Sequence, residues 1–229
     1  AVIAISKDNA ALVEKLFGGP EKVHLIQNGY DPTMFYPEAC SVHEVLDHFG
    51  IEGDYDSIVS FAGKFTYFKG IDILLNAAAL YERDGVATLL AGDGELFDEM
   101  TALAKSLGLE HVYFLHNQPH EVLRRLYSCA TVSLLTSRNE AFGLVAIEAL
   151  ACGAPVIASN EGGPLDIITP QVGLLFQSEN PEDLAREVQF VLDGDIDFDR
   201  EEVARYALEN YSQDVSIDEL IALYEAAIG

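Results

Sequence analysis

Positive charge is what this chain has least of. Thirteen Lys and Arg stand against 38 Asp and Glu, a formal net charge of −25. That balance repels phosphate backbones and anionic headgroups, so nucleic acid and acidic membranes are poor non-specific partners. Any anionic ligand must be held by a local exception. The acidity fits a high-salt habitat or plain colloidal solubility. Cysteine is sparse too: Cys40, Cys129 and Cys152 are widely spaced, odd in number and form no C-x-x-C. A disulfide framework is therefore not expected, and a reducing cytoplasm is the default compartment. No stretch approaches ~20 uninterrupted apolar residues, so no membrane span is predicted. The opening A-V-I-A-I-S-K-D is too short an apolar run for a secretory signal. G-x-S-x-G, H-E-x-x-H and Walker-type loops are all missing. His116 and His120 have an i, i+4 spacing, but Pro119 lies between them, so no metal site is expected.

What the chain does have is core. It is 229 residues long, 49% hydrophobic and 10% aromatic, enough for one packed domain or one and a half. Short apolar, β-branched runs alternate with helical patterns. Strands are predicted at Lys22–Gln27, Ser57–Gly63, Ala87–Gly92, Val112–His116, Thr131–Thr136, Pro155–Ser159 and Gly173–Phe176, with one more at Ala1–Ser6. Helices are predicted at Asn9–Phe17, Ile71–Arg83, Glu95–Leu107, His120–Cys129, Gly143–Cys152, Pro181–Leu192, Arg200–Asn210 and Ile217–Ile228. The strand runs are apolar throughout rather than alternating, as expected when both faces are covered. The fold class that follows is α/β, a doubly wound, Rossmann-like parallel sheet. Ligands of such sheets sit beyond the carboxyl ends of the strands. Gly63-Lys64, Gly92-Asp93-Gly94 and Ser137 to Glu140 fall there.

Glu140 and Glu148 are the most telling pair, eight positions apart around an apolar helix. A carboxylate within so apolar a helix is costly to bury without partners. One at the helix entrance sits where free amides attract anions. On helical geometry the two lie on broadly one side, roughly 12 Å apart. That is too far for a glycosidase acid/base pair, which needs roughly 6.5–9.5 Å even when inverting. It suits acceptors for hydroxyl groups on either side of an anion. Gly143 would let a ligand approach the backbone, while Gly153 and Pro155 end the helix. Lys64 and Lys69 flank one strand-end loop and could neutralise a diphosphate, although two solvated surface lysines would look the same. Gly92-Asp93-Gly94 fits a tight turn or close backbone approach and is not a dinucleotide fingerprint, since the third glycine is missing.

With these residues in view, the chain resembles the C-terminal, donor-binding half of retaining GT-B glycosyltransferases, family 4 (group 1). The resemblance covers about residues 1–228 and rests on ordered motifs. These are Q-N-G-Y-D at Gln27–Asp31, F-A-G-K-F and F-K-G within Phe61–Gly70, L-L-A-G-D-G-E at Leu89–Glu95, the Asn139–Ser159 segment carrying E-x(7)-E, and E-G-G at Glu161–Gly163. It implies transfer of a sugar from a nucleoside diphosphate, UDP- or GDP-linked, with no further cofactor and no metal. It implies that Glu140 binds the donor sugar's hydroxyls and Glu148 the ribose. Lys64 and Lys69, beside Gly63 and Gly92, would grip the diphosphate. Ala141 and the amides of Phe142, Gly143 and Leu144 would face sugar and phosphates, and Leu115, His116 and Asn117 would line the base pocket. Lys64, Lys69 and Glu140 would carry the catalytic work.

Two departures matter. Lys64 stands where arginine is usual, giving a point charge instead of a fork, and His116 stands where glycine is common. The resemblance also implies a division of the chain. Residues 1–20 would be the tail of an N-terminal acceptor-binding domain, 21–200 the nucleotide-sugar domain, and 201–229 helices crossing back. The expected partners are a nucleotide sugar, that N-terminal domain, and an acceptor glycan or lipid-linked sugar, with no nucleic acid. The expected location is cytoplasmic, peripheral to a membrane in a longer protein. A fragment of this kind should bind donor and transfer little. Alternatives of other classes are a sugar-nucleotide epimerase or phosphorylase on the same fold, and a binding module without catalysis.

Overall fold

The computed structural model describes residues 2–17, 19 and 22–228. Six strands form one sheet: β3 (Ser57–Ala62), β4 (Val86–Ala91), β5 (Val112–Phe114), β6 (Val132–Leu135), β7 (Val156–Ser159) and β8 (Gly173–Phe176). They are all parallel, in the spatial order β5-β4-β3-β6-β7-β8. Successive strand residues point to opposite faces, and both faces are packed. Ile58, Leu89 and Leu135 enter one apolar core; Val59, Leu90 and Leu134 enter the other. Helices α3 (Ile71–Tyr81), α4 (Phe97–Leu107) and α8 (Pro181–Leu192) cover one face. Helices α5 (His120–Cys129), α6 (Leu144–Ala151) and α9 (Arg200–Tyr211) cover the other. Burial on both sides is why these runs show no polar alternation.

The order of winding reverses at β3. The chain moves outward through β4 and β5, then returns to the other side of β3 with β6 and continues to β8. A crevice opens at the carboxyl ends of strands flanking such a reversal. Here the loops at that point are 63–70, after β3, and 136–143, after β6.

The expected doubly wound, Rossmann-like parallel sheet is thus what the chain forms, with differences in detail. The strand expected at Lys22–Gln27 is β2 (Val23–Leu25), and it pairs with β1 (Val2–Ala4), not with the large sheet. Helix α1 (Lys7–Phe17) joins them. Two further helices escaped periodicity: α2 (Val42–His48) and α7 (Pro164–Ile167). Both are too short to show a 3.6-residue repeat, although Ser41 and Glu44 form a capping box that marks the start of α2. Helix α10 runs Gln213–Ile228, a turn earlier than the expected Ile217.

The two chain passages between these parts are stitched together. Tyr30 N–H donates to Tyr211 O (2.9 Å) and Gln213 N–H to Tyr30 O (2.8 Å). Ser216 Oγ donates to Gln27 O at 2.8 Å. The crossing is so close that a Cβ on Gly29 would lie 2.5 Å from Gln213 Cα.

The cysteine expectation is corrected. Cys40 and Cys129 are joined by a disulfide, their Cα atoms 6.1 Å apart across 89 positions of sequence. The cause is tertiary: the segment before α2 runs along α5, with Glu38 accepting from Arg124 (2.8 Å) and its amide donating to Ser128 Oγ (3.0 Å). Cys152 is free and buried. Among the described residues, no helix is long and apolar enough to cross a membrane.

Candidate functional site

Strand ends β3 and β4 are drawn together by glycine. Gly63 N–H continues the ladder to Ala91 O at 3.0 Å. Gly92 has φ of +149°, and a Cβ there would lie 1.9 Å from Gly63 O. The loop of β3 is strapped to that of β4 by Phe65 N–H donating to Asp93 O (2.9 Å). The close backbone approach expected at Gly92 is therefore made by the protein's own neighbouring strand.

After this the chain turns through a short 3-10 segment, Tyr67–Lys69, and leaves it at Gly70 in the left-handed region, φ +61°. Gly70 has no room for a side chain, because a Cβ would lie 2.1 Å from Thr136 O. Thr136 Oγ1 donates to Lys69 O at 2.8 Å. Arg138 clamps the same turn. Its amide donates to Phe68 O (2.7 Å), and its guanidinium donates to Tyr67 O (2.8 Å) and to both Asp72 oxygens (2.9 and 2.8 Å), and also reaches Glu179. These acidic partners, Asp72 foremost, hold the Arg138 pKa above its ordinary value.

The clamped turn presents Lys69 to Glu140. Lys69 Nζ donates to Glu140 Oε2 at 2.6 Å, and Ser137 Oγ donates to the same oxygen at 2.8 Å. Burial works to raise the Glu140 pKa, but the Lys69 bond and charge, with Ser137 and the Phe142 amide, bring it below the usual value. Glycines from the E-G-G motif support this loop from beneath. Gly163 N–H donates to Glu140 O (2.8 Å), and a Cβ on Gly162 would lie 2.3 Å from that oxygen. Glu140 stands in the loop ahead of α6, whose cap is Gly143 at φ +110°. The helical spacing argument thus reaches only from Leu144 to Glu148; the position of Glu140 is set by the loop.

Glu148 has the opposite electrostatics. Burial alone pushes its pKa up from 4.5 to about 7. It shares a cleft of about 290 Å³ with Gly63, Lys64, Gly92, Asn117, Val145 and other residues from β3, β4 and the start of α5. Lys69 runs along its edge, its Cδ 4.0 Å from where a Gly63 Cβ would be. At the far lip, His116 takes φ +28°, which explains why a glycine suits this position. Its Nδ1 lies 2.6 Å from Asp93 Oδ1, and its ring stacks on Phe97 at 4.4 Å. The Asn117 amide donates to Asp93 Oδ2 at 2.8 Å.

The structure therefore gathers Gly63, Lys64, Gly92, Asn117 and Glu148 in one cleft, with the bonded Lys69 and Glu140 beside it. Leu115 and Phe142 bury their side chains in the core and offer only backbone to a ligand. Ala141 and Leu144 are exposed, and Gly143 is buried. Sequence reasoning missed Ser137, Arg138, Asp72 and Asp93 as supports. Arg138 lay in plain view beside Glu140, but nothing in linear spacing joins it to Asp72, 66 positions away. Among the described residues, no group of His, Cys, Asp and Glu is arranged to hold a metal ion.

Comparison with known proteins identifies the family. A family model described as "Glycosyl transferases group 1" matches residues 49–210. An uncharacterized glycosyltransferase of Methanocaldococcus jannaschii is 34% identical over 240 residues, covering 99% of this chain and 60% of its own length. A D-inositol 3-phosphate glycosyltransferase of Mycobacteroides abscessus is 34% identical over 237 residues, covering 99% of this chain and 52% of its own. The chain thus spans a little over half the length of these relatives. Among solved structures, Anabaena HepE in complex with UDP superposes with a TM-score of 0.88 at 22% identity, over 98% of this chain and 63% of that one. The chain belongs to the group 1 glycosyl transferases.

Proposed function

We propose that this chain binds a nucleoside-diphosphate sugar, UDP- or GDP-linked, in the cleft at the carboxyl ends of β3, β4 and β6. It would serve as the donor half of a glycosyltransferase that retains anomeric configuration. The observation that carries this reading is the pair of unlike carboxylates about one cleft. Glu140 is ionised, fixed by Lys69 and ready to accept from sugar hydroxyls. Glu148 is half-neutral near pH 7, at the end toward Asn117, where ribose hydroxyls would complete its coordination. Lys64, on the exposed lip, and Lys69 would meet the diphosphate as charge builds on the departing nucleotide. The amides of Gly143 and Leu144, at the entrance of α6, would face the same charge, while that of Phe142 already donates to Glu140. Leu115 to Asn117 would contact the base through backbone. The UDP bound in HepE favours uracil among the bases.

The acceptor would be held chiefly by further sequence of the kind its longer relatives possess, so these 229 residues alone should bind donor and transfer little. No cofactor is required by this chemistry. The test is saturation-transfer NMR against a panel of UDP-, GDP- and ADP-sugars, followed by calorimetry on the best binder. Lys69→Ala should weaken that affinity by about 1–3 kcal/mol, as for a lost charged hydrogen bond. Unchanged affinity, or no binding by any nucleotide sugar, would overturn the proposal.

A further inference from the structure

Outside the cleft, one residue holds a backbone conformation that its own type resists. Glu179 lies in the loop between β8 and α8 with φ of +61°, in the left-handed region. A side chain there carries a steric cost that glycine escapes, and among other residues Asn and Asp adopt it most readily. The loop is fixed in this path. Its turn is closed by Asn180 N–H donating to Gln177 O (3.1 Å). Ser178 N–H donates to Asn160 Oδ1 (3.0 Å) and Gln177 N–H to Asp183 Oδ2 (2.6 Å). Asn139 makes the contrast: at φ +55° the loop after β6 needs the same region and uses a residue that tolerates it.

What a carboxylate at 179 adds is a hold on Arg138. Its two oxygens accept from the guanidinium, one from Nε and the other from Nη2 at 3.0 Å. Asp72 accepts from Nη1 (2.9 Å) and Nη2 (2.8 Å), so all three guanidinium nitrogens are engaged. The two acids are not equivalent. Asp72 lies in the first turn of α3, directly after the Tyr67–Lys69 turn, and moves with it. Glu179 follows the edge strand β8, separated from β3 by β6 and β7, and ties Arg138 to a different part of the sheet. Stability alone does not account for it. The Glu179 side chain is 55% exposed, and an ion pair so open to water contributes little, no more than the left-handed conformation costs. Strain that the fold does not need points to a functional demand.

Through Arg138 the hold reaches Lys69. The Arg138 amide donates to Phe68 O (2.7 Å) and its guanidinium to Tyr67 O (2.8 Å), while Thr136 Oγ1 donates to Lys69 O (2.8 Å). From this fixed backbone the Lys69 ammonium extends to Glu140 at 2.6 Å. Lysine has much rotamer freedom to lose, and a backbone already in place leaves less to be ordered when a ligand arrives.

We propose that Glu179 is a positioning residue for the diphosphate: it fixes Arg138, and through Arg138 the turn that directs Lys69 at the cleft, while its own backbone stays strained. The inference rests on the donor reading for the role of Lys69.

The experiment compares the 229-residue wild type with Glu179→Gly, Glu179→Asn and Glu179→Gln. Glycine and asparagine suit the left-handed backbone and bring no carboxylate to Arg138; glutamine keeps the length and one neutral acceptor. Glu179→Gly and Glu179→Asn should melt no lower than the wild type. Their Lys69, Gly70 and Arg138 amides should nevertheless exchange about tenfold faster by NMR. Calorimetry with the UDP-, GDP- or ADP-sugar that binds the wild type best should show affinity down about fivefold. Glu179→Gln should restore part of both. A merely structural residue would lose stability and affinity together, so a fall in melting temperature that parallels the fall in affinity overturns the proposal. Unchanged exchange at the three amides does so too, as does faster exchange with affinity kept within about twofold. Failure of the wild type to bind any nucleotide sugar would instead strike the donor reading; the melts and exchange rates, which need no ligand, still decide whether Glu179 holds the turn.

Discussion

Replacing Glu148 by Gln separates folding from binding in a single side chain. Burial raises the Glu148 pKa from 4.5 to about 7, with no opposing hydrogen bond or charge. Below about pH 4.5 the carboxyl is neutral in both the folded and unfolded chain. Between 4.5 and 7 the folded chain keeps a proton that the unfolded chain has released, so stability falls as pH rises. Above 7 the whole cost remains. At about 1.4 kcal/mol per pH unit, the span from 4.5 to about 7 sets a ceiling of about 3 kcal/mol. The side chain borders an open cleft, and solvent screening brings this to about 1–2 kcal/mol. Glu148→Gln keeps the shape and removes the ionisation. Urea melts from pH 5 to 8 should show the variant gaining on the wild type as pH rises, and standing about 1–2 kcal/mol above it at pH 8. A difference that does not vary with pH would refute a buried, unpartnered carboxylate.

Ligand binding should reverse the sign. Hydroxyls donating to the ionised carboxylate favour the charged form and lower its pKa. Nucleotide-sugar affinity in the wild type should therefore rise between pH 5.5 and 7.5, with proton release seen by calorimetry in buffers of different ionisation enthalpy. Glu148→Gln should bind more weakly and with no such release. A stabilising effect of the variant without any effect on binding would leave Glu148 as a structural residue and remove it from the proposed site.

Other outcomes follow from the same contacts. Lys69→Ala leaves Glu140 mostly buried without its cation and should cost about 1–3 kcal/mol of stability; adding Glu140→Gln should recover part of it, so a double-mutant cycle by chemical denaturation should be non-additive. Gly92→Ala combines φ of +149° with a Cβ 1.9 Å from Gly63 O and should cost at least about 2 kcal/mol in thermal melts, with the cleft disturbed. Arg138→Lys should preserve charge but lose the paired bonds to Asp72, lowering Tm and loosening the Tyr67–Lys69 turn in hydrogen exchange. Peptide mapping without reductant should recover Cys40 linked to Cys129, with Cys152 labelled by thiol reagents only after unfolding.

The parts of the fold that could be read in the sequence were those governed by local pattern. Uniformly apolar strand runs between helical periods pointed to the α/β class, because burial on both faces leaves no alternation to confuse the reading. The glycines at 63, 92 and 143 could be singled out because loops at strand ends tolerate few other reasons for glycine. What escaped depends on pairings across long stretches of chain. The Cys40–Cys129 bond spans 89 positions, and the widely spaced, odd cysteine count argued the other way. The Lys69–Glu140 bond joins residues 71 positions apart that were each assigned a ligand of their own. The pairing of Val23–Leu25 with Val2–Ala4 looked locally like any other strand of the sheet. Short α2 and α7 fell below the length at which helical periodicity can be recognised.

So acidic a chain can hold a diphosphate only by local means. Most of its few basic residues are already engaged: Lys7 with Asp166, Arg83 with Asp193, Arg124 and Arg125 with Glu38, Arg138 with Asp72 and Glu179, Arg186 with Asp183 and Glu187, and Arg205 with Glu202. A general positive field is therefore not available. What the cleft offers is Lys64 on its wall, Lys69 on its edge, and backbone amides at the entrance of α6. Lys69 is shared with Glu140, so its charge is held in place, not free to sample solvent. A ligand whose hydroxyls satisfy Glu140 would release part of that attraction toward its own phosphates. Recognition of the sugar and grip on the diphosphate would then be coupled through one short ion pair, and a bare diphosphate without its sugar would find the lysine still directed at the carboxylate.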